Sequence, residues 1–201
     1  MGVMKMDWLA CAAAVASAMT LAQPGAAQEA RIGPPTAEAL IALQQEKMAV
    51  FDWMHGEWRG TATRFERGGP VQMVQTERVG PMLDGAILVI EGRGYEGETG
   101  ALSFNAFGVI HYDVAAQQYR IRTNAMGRGG EFRVEPVENG FDWFIEQGPP
   151  IRYEARLIEG QWIETGYIAL PGREEARLID MRLDRLGDTD WPMAGAVGVA
   201  P

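Results

Sequence analysis

Cysteine is nearly absent from this chain of 201 residues, which holds one, Cys11. That cysteine falls in a leader described below, so the remaining chain can form neither a disulfide nor a cysteine-ligated metal centre, and its stability must come from a core. No metal and no cofactor is expected. Histidine is scarce as well: His55 and His111 are all that a serine triad could draw on, and no Gly-x-Ser-x-Gly, His-Glu-x-x-His or P-loop pattern occurs. Positive charge is short, with 18 Lys and Arg against 27 Asp and Glu and a net charge of -9. Such a balance lacks the clustered basic footprint of a nucleic-acid binder, so nucleic acid is excluded as an expected partner. No Asn-x-Ser/Thr sequon is present, which favours a bacterial periplasm over a eukaryotic secretory route. A strongly apolar run of about 18 residues, the length of a membrane span, is also missing.

What is present begins with MGVMKMDWLACAAAVASAMTLAQPGAAQEA: a Lys, an Ala-rich apolar run from Trp8 to Leu21, then Gly25 and Ala27. This is the layout of a secretory signal peptide, with cleavage expected after Ala27. Cys11 follows too short an apolar run, and fits a lipid-attachment box too poorly, for a lipoprotein. The expected product is a periplasmic or secreted protein with no stable membrane insertion: residues 28–35 a flexible leader, 36–186 one domain, and 187–201 a loose tail in which Trp191 has room to tuck back.

Within the domain, Thr36 can cap a helix on which Ala37, Leu40, Ile41, Met48 and Phe51 share a face. Gly56 is placed to end it in the left-handed conformation. From Trp58 onward the hydrophobic period changes to two. Strands are predicted over Glu57–Glu66, Val71–Val79, Ala86–Tyr95, Ala101–Tyr112, Gln117–Ala125, Glu131–Val137, Gly140–Gln147, Ile151–Ile158, Gln161–Ala169 and Glu175–Arg185. Turn-forming residues punctuate them at short, even intervals, with no space for helical crossovers, which implies an antiparallel meander. Closing it into an up-and-down barrel of about ten strands removes both edges; a β-sandwich is the alternative that spacing leaves open.

Gly56-Glu57-Trp58-Arg59-Gly60, opening the first strand of such a meander, resembles the Gly-x-Trp signature of the lipocalin-like, or calycin, barrels. Gly108-Val109-Ile110-His111-Tyr112-Asp113 followed by Tyr119 looks like an uncharacterised bacterial branch known mainly as a domain of unknown function. The likeness spans roughly residues 50 to 185. It implies that Trp58 is a structural plug at the barrel's closed end, beside a basic residue of the last strand, Arg182 or Arg185. Two departures count. The nitrobindin-like haem barrels share Gly-x-Trp-x-Gly but carry an axial histidine on a late strand, which Glu174 to Arg185 lacks; lipocalins proper have a long helix after the barrel, which Gly187 to Pro201 cannot form.

Candidate site residues follow from alternation. The apolar sides of the strands offer Met73, Phe104, Phe132, Trp143, Tyr153 and Trp162 as a pocket wall or, equally, as a solid core. Arg120, Arg122 and Asn124 form one side of a strand; the common arrangement turns that side to water, and the alternative makes Arg122 an inward anchor for a carboxylate. Glu77, Glu91 and His111 are the candidate acids and bases if the protein is an enzyme, against a plain reading as a surface charge ladder and a rim histidine. His55 is expected to complement the helix dipole. Gly92-x-Gly94-x-x-Gly97 matches a dinucleotide fingerprint in letters only, because a strand rather than a helix follows, and is read as a hairpin. The expected function is non-covalent binding of a small, largely apolar molecule in the lumen. An isomerase or cyclase acting on a hydrophobic substrate, and a solid-packed structural or interaction module, are the alternatives.

Overall fold

The computed structural model describes residues 34–97 and 99–199; the expected signal peptide, with its cleavage site after Ala27, lies outside them. Helix α1 (Ala37–Met48) starts where Thr36 accepts a hydrogen bond from the Ala39 backbone N–H at 3.2 Å, and continues into a 3-10 helix over Ala49–Met54. Gly56 does not end α1. It has φ of 124° and begins the first strand, while the 3-10 turn makes the transition. Nor is the expected apolar face of α1 buried along its length. Met48 and Phe51 are buried, whereas Ile41 is 46% exposed, because the helix meets the barrel with its C-terminal end.

The ten strands are β1 (Gly56–Glu66), β2 (Gly69–Met82), β3 (Ile87–Glu96), β4 (Leu102–Asp113), β5 (Gln118–Ala125), β6 (Arg128–Val137), β7 (Gly140–Ile145), β8 (Ile151–Ile158), β9 (Gln161–Ile168) and β10 (Ala176–Gly187). All neighbours are antiparallel, and β1 pairs with β10, from Trp58 opposite Arg185 to Arg64 opposite Ile179, so the sheet closes into a barrel and the sandwich is excluded. Several hairpins are tighter than the turn residues suggest. Gly129 and Gly130 belong to β6, opposite Asn124 and Thr123, and the turn shrinks to Met126-Gly127 with φ of 50° and 76°, the left-handed pair that two-residue hairpins favour.

One end of the barrel is shut. Met48, Phe51, Met54 and Trp58 pack with Val79, Leu88, Ile110, Phe141 and Leu183, all at most 4% exposed. Phe51 meets Tyr119 and Phe141 edge-on, each at 5.5 Å. Polar ties hold the helix there: the Gln45 amide donates to the Asp84 carbonyl at 2.7 Å, and the Tyr119 hydroxyl to that of Lys47 at 3.0 Å. The tail after β10 is not wholly loose. Trp191 lies over the outer side of β2, where the Arg78 guanidinium stacks on its ring at 4.8 Å and the absent side chain of Gly80 leaves room for the Trp191 carbonyl.

Candidate functional site: an open lumen with two buried carboxyls

Inward positions follow from strand parity. Along β2 these are Met73, Gln75, Glu77 and Val79, and along β9 Trp162, Glu164 and Gly166; the residues between them face out. The closed end is filled, but the rest of the interior is a cavity of about 960 Å³. Small inward residues form part of its wall. Gly92, Ala106 and Gly108 line it, and at Gly108 an added Cβ would have nothing nearer than 3.6 Å. The mouth is at the end opposite α1, where Phe65, Phe107 and Met126 are exposed at its edge.

Of the residues singled out above, Met73, Phe104, Phe132, Trp143, Tyr153 and Trp162 all line this cavity. Trp143 and Tyr153, opposite each other on β7 and β8, stack in parallel at 4.0 Å, and Phe132 tilts against Trp143 at 6.1 Å. Arg122 is elsewhere: it is exposed on the outer side of β5, between inward Ile121 and Thr123, and cannot anchor a carboxylate within the lumen. His111 also faces out, between Ile110 and Tyr112. Glu91 lies on the outer face, bonded by Arg78 at 2.7 Å and by Arg93 at 2.5 Å. Its partial burial would raise its pKa, but the two guanidinium groups outweigh this and hold it below the ordinary value. The charge ladder is therefore the right account of Glu91 and the wrong one of Glu77.

Glu77 is inside, 9% exposed. Burial pushes its carboxyl up to about 8, against the hydrogen bond that the Gln75 amide donates to Oε1 at 2.7 Å; the charge of Glu164 raises it further. Gly92 stands directly across the strand pair, and a Cβ there would fall 2.7 Å from both Glu77 oxygens, so this carboxyl occupies space that only a glycine leaves. Glu164 is enclosed by protein yet half-exposed, because it opens on the lumen. Burial pushes it up to about 7, opposed by the indole N–H of Trp143, 3.4 Å away, and by that of Trp162, which leans toward it without reaching hydrogen-bond geometry. Burial and the charge of Glu164 also raise Tyr153 to about 12. Gln75 and Glu164 escaped the sequence reading, although each continues the inward parity set by Met73 and Trp162.

Trp58 sits at the floor of the lumen, 1% exposed, with its indole N–H donating to the Met54 carbonyl at 2.8 Å and its ring edge-on to Trp53 and Trp162. Arg185 is the basic residue beside it. Its guanidinium bonds the His55 carbonyl at 2.9 Å rather than stacking on the Trp58 ring, and Arg182 points outward to Gln161. The His55 ring lies 3.8 Å from Asp52, and burial lowers its pKa.

These features define a closed antiparallel barrel with one shut end and one open lumen. No family model matches the chain, and no curated protein is found similar to it. Among solved structures, the crystal structure of Rv2717c from M. tuberculosis is similar, with a TM-score of 0.53 and 8% identity over 69% of this chain and 96% of that one. At that identity the likeness is one of fold alone. Among the described residues, no helix is long and apolar enough to cross a membrane.

Proposed function

We propose that the protein is an exported, calycin-like barrel that takes one small, largely apolar molecule into its lumen without covalent chemistry. The observation that carries this reading is the cavity of about 960 Å³ walled by aromatic and aliphatic side chains, a volume in the range of small-molecule pockets. A barrel serving only as a structural module has no need of an interior left empty on this scale. The test is a titration with long-chain alcohols followed by tryptophan fluorescence, since Trp143 and Trp162 line the cavity. Saturable quenching or enhancement is expected, and Gly108→Phe, which enters the lumen from a position where a Cβ meets Ile121 and Ile90 at ordinary contact distances of 3.6 Å and more, should abolish it while the fold survives. Arg122→Leu should leave binding unchanged. An equal response from the Gly108→Phe protein would refute lumen binding.

One observation favours a second reading. Glu77 is a carboxyl inside an open lumen with its pKa raised to about 8 by burial, the condition a barrel isomerase sets for its acid or base. Binding still comes first, because an enzyme of this kind would need the same pocket.

A further inference from the structure

The lumen holds two carboxyl groups that no basic side chain pairs among the described residues. Below the mouth its inward positions hold two acids, Glu77 and Glu164, and no Lys or Arg. The lining cations, Arg64 and Arg128, lie toward the mouth; Arg64 follows Ala62 on the inward side of β1 with its Nε buried, and pairs with Glu66 at 3.3 Å rather than with either acid. On the outer side several acids have basic partners: Glu91 has Arg78 and Arg93, Asp142 has Arg156 at 2.6 Å, and Glu175 has Arg152 at 3.0 Å. Inside, Glu77 has the Gln75 amide on Oε1, and among the described residues no side chain donates to its Oε2, although the residue is 9% exposed. Glu164 has one long bond from Trp143.

The lumen that holds these carboxyls is walled by Phe104, Phe132, Trp143, Tyr153 and Trp162, of which Trp143 and Trp162 turn their indole N–H groups toward Glu164. Aromatic faces attract cations and do little for an anion. Two acids within such walls have the composition of a receptor for an organic ammonium. A carboxylate ligand would meet like charge, and a hydrocarbon would leave both acids without partners.

We infer that the lumen binds a lipophilic amine in its protonated form, with the ammonium group held between Glu77 and Glu164 against the aromatic wall and the apolar tail directed to the mouth. This rests on the lumen-binding reading above and names its ligand class. It also accounts for the cost of keeping both acids inside: burial drives both toward the neutral form, the charge of Glu164 adds to this at Glu77, and an arriving ammonium relieves these penalties.

The experiment compares decylamine, decanol and decanoate, which share one chain length, at neutral pH by tryptophan fluorescence and calorimetry. Decylamine is expected to bind at least about tenfold more tightly than decanol, with decanoate weakest. In the double variant Glu77→Gln with Glu164→Gln the ratio of amine to alcohol should fall to about one, while decanol still binds, which shows that the lumen is intact. The inference is overturned if decanol or decanoate binds as tightly as decylamine, or if the preference survives in the double variant; lumen binding then stands without it. If none of the three binds, both fall. If the double variant binds nothing, Glu164→Gln alone must reduce the ratio at least about threefold, and an unchanged ratio there also overturns the inference.

Discussion

The indole N–H of Trp58 donates to the carbonyl of Met54, four residues earlier, at 2.8 Å. One bond thus joins the last turn of the 3-10 helix to the third residue of β1, across the point where helix gives way to strand. The ring is 1% exposed and meets Trp162 of β9 edge-on at 5.9 Å, so this residue links the helical cap, the first strand and a strand two places along the barrel.

Trp58→Ala should therefore destabilise the fold by about 3 to 5 kcal/mol, as other large-to-small changes in cores do. Trp58→Phe keeps much of the packing but leaves the Met54 carbonyl without its donor, at a cost of about 1 to 3 kcal/mol. Urea unfolding of both variants measures the two parts. A loss below about 0.5 kcal/mol in Trp58→Ala, typical of a surface site, would remove its role as a plug.

Glu77 and Gly92 form a pair of the opposite kind, a side chain and the space left for it. Gly92→Ala should cost about 1 to 3 kcal/mol, since its Cβ would press on both carboxyl oxygens. In a Glu77→Ala background the same change should cost much less. The double-mutant cycle reads the coupling, and additive losses would show that Gly92 is required for some other reason.

Export is a separate prediction, motivated by Gly25 and Ala27 after the Ala-rich run. Protein recovered from the periplasm of an expressing bacterium should give an intact mass that begins at Gln28. A product retaining residues 1–27, or one carrying a diacylglyceryl group on Cys11, would contradict it.

The barrel was legible because alternation and turn residues are local signals: ten runs of period two, separated by glycine-rich turns, leave an antiparallel meander little choice but closure. Parity was harder. Glu77 reads as a rung of a charge ladder beside Arg78, yet it shares the phase of Met73, whose apolar side chain marks the inside. Arg122 is an apolar step away from Ile121, and the same phase places it outside. Glycine was legible only in part. The stretch from Gly92 to Gly97 does run into the β3–β4 hairpin, but nothing in it shows that Gly92 and Gly94 are inward residues of β3 whose missing side chains make room for Glu77, Met73 and Gln75. A sequence pattern marks a glycine as permissive without saying whether the freedom is used by the backbone or by a neighbour. The carboxyl pair itself depends on strands distant in sequence, β2 and β9, and no local window contains both.

The same pair sets how stability responds to pH. Glu77 is raised from 4.5 to about 8 and Glu164 from 4.5 to about 7, both chiefly by burial. Each carboxyl therefore holds its proton more tightly in the folded chain than in the unfolded one. Their contribution to stability is present in full below the unfolded pKa near 4.5 and is lost as pH rises through about 7 and then about 8. Surface acids such as Glu91, whose pKa is lowered, act in the opposite sense, and their stabilisation is already complete at neutral pH. From about pH 5 to about pH 9 the urea midpoint of the wild type should fall, with the loss on the order of a few kcal/mol. Glu77→Gln and Glu164→Gln should each flatten that slope, and the double variant should flatten it most, because an amide has no charge to bury. A wild-type midpoint that holds level across this range, or a double variant with the wild-type slope, would mean that both carboxyls are ionised in the folded barrel at no cost, and the buried pair would have to be reached by solvent.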